Sequence, residues 1–214
     1  MKTPCAVLLV GLLFSATQAR GQVAEGDSQV GVMLGMANPL TKINTVLLDV
    51  QQNVTAGEVG PAFGAQYLYR LHKNLGLGAE FNYKVFGKKS AGGTDGGTPT
   101  TESITPQLLT VLGLIRAEFM PYSRVRPYGL LGLGFNRFKA KGEDAQAGVL
   151  VFTSSGLAFA VGGGADYDIN ERFFAGLEMR WGYNKVGAQI EQYGIGHFSS
   201  LDVLVQLGYK FGML

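Results

Sequence analysis

The chain is nearly devoid of cysteine. Its single cysteine, Cys5, lies ahead of an apolar N-terminal run rather than behind it. It therefore cannot be a lipoprotein cysteine. It also falls within the expected signal segment, so the mature chain carries no thiol, which excludes disulfides, thiolate catalysis and cysteine metal sites. Histidine occurs twice, as His72 and His197, too sparse and too far apart for an imidazole metal site. Beyond the N-terminus no apolar run approaches the ~20 residues that a membrane-spanning helix needs. An excess of one charge is also missing. Cleavage after Gly21 would remove Lys2 and Arg20, leaving 16 basic residues against 16 acidic ones. A chain of near-zero net charge has no basic footprint for nucleic acid.

Residues 1–21 read as a secretory signal. Lys2 supplies the positive start, Ala6 to Phe14 the apolar core, and Thr17-Gln18-Ala19 or Ala19-Arg20-Gly21 the small-residue cleavage site. Residues 22–214 then form one domain. Glycine is abundant, with 32 residues in 214, roughly twice the usual ~7% share. Such an excess suits tight turns and close strand packing more than helices.

Residues 173–184, FFAGLEMRWGYN, separate into two faces with period two. Phe173, Ala175, Leu177, Met179, Trp181 and Tyr183 fall on one face, and Glu178 and Arg180 lie with glycines on the other. An apolar face opposed to a charged, glycine-rich face suits a strand between lipid and a packed polar lumen. The logic repeats in segments near 29–37, 61–71, 75–86, 107–119, 127–139, 157–168 and 201–211. The fourth is least regular, because Leu108 to Leu114 is apolar on both faces. The expected fold is all-β: an eight-stranded antiparallel up-and-down transmembrane β-barrel. The connections alternate long and short. Residues 38–60, 87–106, 140–156 and 186–200 read as long loops. His72-Lys73-Asn74, Met120 to Arg126 and Ile169 to Arg172 read as short turns. All long loops thus leave one end of the barrel, the extracellular end in outer-membrane barrels.

The expected inward charges are Arg70, Glu80, Lys84, Arg116, Glu118, Asp166, Asp168, Glu178, Arg180, Asp202 and Lys210. In an eight-stranded interior, just wide enough for side chains to fill, they predict a salt-bridged plug rather than an open pore. The expected interfacial aromatics are Tyr67, Tyr69, Phe119, Tyr128, Tyr167, Phe173, Trp181, Tyr183, Tyr209 and Phe211, with Phe86 and Phe135 added toward the long loops.

Pro127-Tyr128-Gly129-Leu130-Leu131-Gly132-Leu133-Gly134 resembles the P-Y-x-x-x-G-x-G strand of small outer-membrane barrels. The whole mature chain resembles the OmpA-type transmembrane barrel and its OmpX-like relatives. The final strand, ending Tyr209-Lys210-Phe211, is similar to the aromatic-ended closing strand that such proteins present to the barrel assembly machinery. Three residues follow the aromatic here, a departure from its usual terminal position. The resemblance implies a cell outer membrane location in a Gram-negative-type bacterium, with contact to outer-membrane lipid and lipopolysaccharide. It does not specify function, because these barrels host different activities. No peptidoglycan-binding domain follows, so a tethering role is not implied.

The functional expectation is a structural or surface-interaction barrel, monomeric and non-enzymatic, with no cofactor or metal and an unidentified partner for its loops. The alternative is a narrow gated channel for ions or small solutes. Two further readings stay open. Lipid A deacylases are also eight-stranded barrels and use a His-x-Ser pair with a downstream Glu. His197-Phe198-Ser199 offers the pair, but no Glu follows, and only Glu191 and Asp202 are near. A soluble lipocalin-like barrel would turn the apolar face inward instead. Gly162-Gly163-Gly164 lies mid-strand with no helix after it and is not a phosphate loop.

Overall fold

The computed structural model describes residues 26–44, 53–55, 57–95, 98–144, 148–187 and 196–212. The expected signal segment lies outside these residues, as does Glu191. Among the described residues the strands are β1 (Ser28–Pro39), β2 (Lys42–Asn44), β3 (Asn53–Thr55), β4 (Gly60–His72), β5 (Leu75–Val85), β6 (Lys89–Asp95), β7 (Thr98–Glu118), β8 (Val125–Asp144), β9 (Gly148–Asp168), β10 (Phe173–Lys185) and β11 (His197–Phe211).

Eight strands form the wall, in the order β5-β4-β1-β11-β10-β9-β8-β7, and β5 pairs with β7 to close it. Every pairing is antiparallel. The last strand closes on the first, from Ser28 opposite Phe211 to Pro39 opposite Ser200. Closure leaves no open wall edge, which a lipid environment requires because lipid cannot satisfy unpaired backbone groups.

The short turns carry their own chemistry. Asn170 Oδ1 accepts hydrogen bonds from the backbone N–H groups of Arg172 (2.8 Å) and Phe173 (2.7 Å). This arrangement fixes the β9–β10 turn through the asparagine side chain. Asn74 Nδ2 donates to the Glu118 carbonyl at 2.6 Å, which ties the β4–β5 turn to the end of β7.

Three of the expected long loops are more regular than the sequence suggests. β6 and the first half of β7 occupy most of 87–106 and pair with each other from Lys89–Ile104 to Asp95–Thr98. β8 and β9 continue their ladder to Asp144 opposite Gly148, whereas β10 leaves β9 at Ala158. The β8–β9 hairpin therefore overshoots β10 by roughly 30 Å at ~3.3 Å per residue. Within 38–60, β2 and β3 form a short hairpin. Ile43 belongs to β2, and residues 45–50 lie outside the described residues. The extensions escaped the pattern reading because, above the membrane, neither sheet face must be apolar, so the alternation fades while pairing persists.

The outward face is the apolar one. Val32, Leu34, Met36, Leu133, Phe135, Leu177 and Met179 are all exposed on the barrel exterior. Their inward neighbours are mostly buried and are glycines, Met33, Ala37 and the polar Asn136, Glu178 and Arg180. This inside-out partition excludes the lipocalin-like reading. The doubly apolar fourth segment has a simple origin: Leu108, Leu112 and Leu114 face inward and are buried, while Val111 and Ile115 face outward.

Candidate functional site

The lumen is filled in three layers. Nearest the short turns, Glu118 at the end of β7 lies among three guanidinium groups. Arg70 donates to it twice, Nη1 to Oε2 and Nη2 to Oε1, both at 2.6 Å. Arg126 Nη1 and Arg116 Nη2 each lie 3.2 Å from it. Arg116 also pairs with Asp166. Arg126 donates to Asp168 Oδ1 at 2.9 Å, and Lys210 Nζ lies 2.8 Å from Asp168 Oδ2. The bidentate fork of Arg70 matches the carboxylate geometry.

Tyr128 joins this layer to the next. The Arg116 guanidinium stacks on its ring, 3.4 Å from the centroid, and its hydroxyl donates to Glu178 Oε2 at 2.9 Å. In the middle layer Arg180 Nη1 donates to Glu80 Oε1 at 2.5 Å and lies 3.3 Å from Glu178 Oε1. Arg180 Nε donates to Asp202 Oδ2 at 3.3 Å. Lys84 Nζ donates to the same oxygen at 2.5 Å, and Ser200 Oγ donates to Asp202 Oδ1 at 2.9 Å. Beside this layer lies a cavity of about 10 Å³ lined by Lys84, Thr110, Arg180 and Asp202. That volume holds about one water molecule.

Toward the long hairpins the lumen turns apolar. Phe86, Phe138 and Phe198 pack together, with ring centroids 4.8 Å apart for Phe86–Phe198 and 5.4 Å for Phe138–Phe198. Met33, Leu108, Val186 and Leu204 surround them.

All eleven charged residues expected inside are buried there, and the structure adds a twelfth, Arg126. Sequence reading placed Arg126 in a turn, yet it shares parity with Tyr128 and Leu130 on the inward face of β8. Among the described residues the buried charges are six cations and six acids, so the lumen balances in sum, with one cation in excess in the layer nearest the short turns and one acid in excess in the middle layer.

Two aromatic placements are corrected. Tyr128 is not interfacial: it is 3% exposed, inside the lumen. Phe86 is likewise internal, in line with Glu80, Asn82 and Lys84. In both cases residue type was weighed above parity, although a buried tyrosine needs only a partner for its hydroxyl, and Glu178 provides one. The outward aromatics Tyr67, Phe119, Tyr167, Phe173 and Phe211 sit toward the short-turn end, where Tyr69 and Tyr209 are half-buried. Trp181 and Tyr183 lie toward the other end, beside Phe159 and His197.

The His197-Phe198-Ser199 motif splits by environment. The His197 ring stacks on Tyr183, centroids 5.3 Å apart. Ser199 is bound to Thr41: the hydroxyls lie 3.1 Å apart, and the Ser199 N–H donates to Thr41 Oγ1 at 2.7 Å. Asp202 points into the lumen, held by Lys84 and Arg180. Asp202, the one of the two near acids that lies among the described residues, is thus held away from His197. Among the described residues no cluster of three or more histidine, cysteine or carboxylate side chains could hold a metal ion.

Residues 5–211 match the family of the outer membrane protein beta-barrel domain. The chain belongs to that family. As a member of it, the protein resides in the outer membrane of a Gram-negative-type bacterium. A comparison with curated proteins found no match. Among solved structures this barrel is similar to Neisserial surface protein A, with 17% identity, a TM-score of 0.58, and 87% of this chain and 100% of that one covered. It is similar to OprG from Pseudomonas aeruginosa at 15% identity and TM-score 0.53, covering 91% and 100%. A major outer membrane protein from Thermus thermophilus matches at 13% identity and TM-score 0.53, covering 86% and 99%. At these identities the likeness is one of fold.

Proposed function

We propose that this outer-membrane barrel is a non-conducting, non-enzymatic platform that presents its long hairpins for contact at the cell surface. The observation that carries the reading is the filled lumen: two layers of ion pairs, balanced in charge only together, beneath a phenylalanine layer. A conduit would need a continuous polar path, and Phe86, Phe138 and Phe198 pack across its mouth. The paired β6–β7 and β8–β9 extensions offer an ordered surface above it. The two bands of outward aromatics mark the membrane interfaces, where amphipathic rings are favoured. The protein acts as a monomer in contact with lipid and lipopolysaccharide. The closing strand β11, ending in Tyr209 and Phe211, engages the barrel assembly machinery during insertion. The stacked His197 and the occupied Ser199 support the absence of lipid A deacylation.

Planar-bilayer recording tests the plug. The purified protein is expected to give no unit conductance steps in 1 M KCl, and sustained steps of uniform size would replace this reading with the channel. Orientation is tested separately. Cys5 is the only native thiol and lies in the expected signal segment, so introduced cysteines report alone. Thr94→Cys, at the β6–β7 tip, is expected to react with a membrane-impermeant maleimide on intact cells. Lys73→Cys, in a short turn, is expected to react only after lysis. The reverse pattern would invert the barrel.

A further inference from the structure

We infer that the outer face of β8 carries a docking site for phosphate groups of an outer-leaflet lipid, formed by Arg137, Lys139 and Lys141. These residues alternate with Asn136, Phe138 and Ala140, which are buried in the lumen. The three cations therefore share the outward face of one strand. Arg137 and Lys141 are exposed and Lys139 is half-buried. They continue the line of Leu131, Leu133 and Phe135, the last 70% exposed at the upper end of the apolar band. The ladder thus begins one alternation above the band, at headgroup depth, and rises by roughly 6.6 Å per step.

Glu143 lies two residues beyond Lys141 in β8, but the neighbouring strands set no acid opposite the three cations themselves. On β7 the cross-strand partners of Arg137, Lys139 and Lys141 are Leu109, Gln107 and Thr105. On β9 they are Ser155, Thr153 and Val151. None is acidic. The lumen, by contrast, balances its cations with acids. Lys185, exposed at the outer end of β10, adds a cation two strands away. Like charges aligned on one strand repel unless an anion lies between them. At this depth, facing sideways rather than off the hairpin tips, the occupant is a phosphorylated lipid headgroup. Long basic side chains can keep their stems on the apolar wall while their charges reach it, and arginine can grip phosphate through two N–H groups.

The site deepens the proposed contact with outer-membrane lipid and rests on that reading and on the hairpin end facing outward, which the labelling experiment checks independently. The test is native mass spectrometry of the detergent-solubilised protein titrated with diphosphorylated lipid A, monophosphoryl lipid A and phosphatidylcholine. Wild type is expected to retain the diphosphorylated lipid at least tenfold better than phosphatidylcholine. Arg137→Gln/Lys139→Gln/Lys141→Gln is expected to bind it about 100-fold more weakly, at about 1 kcal/mol per cation near an anionic headgroup. Lys73→Gln/Arg172→Gln, at the opposite end, is expected to bind as wild type. Heat-modifiable gel migration verifies folding. If the triple variant does not fold, Lys141→Gln alone, above the apolar band, is expected to lose about fivefold on the same scale. Undiminished binding by the triple variant would overturn the site, as would equal losses in both multiple variants. Tighter binding of a sulfated oligosaccharide than of the lipid would also overturn it.

Discussion

Replacing Glu118 by alanine is expected to destabilise the barrel by about 3–5 kcal/mol, the range for removing one partner of a buried ion pair. The reason is local arithmetic. The layer nearest the short turns holds Arg70, Arg116, Arg126 and Lys210 against Glu118, Asp166 and Asp168. Glu118 is the acid that Arg70, Arg116 and Arg126 share. Without it, Arg70 keeps, among the described residues, the longer contact of its Nη2 with Gln29 Oε1, at 3.4 Å, and four buried cations face two acids. Glu118→Gln should lose less, because one carbonyl oxygen can still accept from Arg70. Glu171→Ala, in an exposed turn, should stay within about 0.5 kcal/mol of wild type. Urea unfolding in detergent micelles, followed by heat-modifiable migration, measures all three. If Glu118→Ala unfolds with Glu171→Ala, the layer does not hold the barrel together.

The wall was legible because lipid and lumen impose opposite demands on alternate residues. Phe173 to Asn184 shows this without ambiguity, and the same parity placed Arg70, Glu80, Asp166 and Asp202 inside. Where one of those demands relaxed, legibility fell. In β7 the lumen accepts leucines, so Leu108 to Leu114 lost its contrast. In the β8–β9 extension neither face meets the hydrocarbon of the lipid, so strands read as loops. Tyr128 and Phe86 show a different failure. Their positions were legible from parity, but an aromatic near a strand end invites an interfacial assignment. Arg126 was hidden because the expected strand starts at Pro127, two residues after the start of β8. The splitting of the His197 motif could not be read at all, because Thr41 reaches Ser199 from 158 residues away.

The middle layer separates two reasons for burying charge. Arg180 reaches Glu80 across 100 residues of sequence and also faces Glu178 and Asp202. Arg180→Met should cost about 3–5 kcal/mol, since Lys84 alone then faces three acids. If charge imbalance is the cause, neutralising its partners should repair the damage. Glu80→Gln/Glu178→Gln/Arg180→Met leaves Lys84 with Asp202 as one intact pair. It is expected to recover more than half of the loss in the same unfolding assay, a strongly non-additive result. Failure to recover would assign the loss to packing, because methionine fills the space of the arginine differently. Recovery would mean that apolar filling can stabilise this lumen about as well as ion pairs. The ion pairs would then matter for bringing distant strands into one register, because β5, β10 and β11 meet at Arg180 only when each strand is correctly aligned.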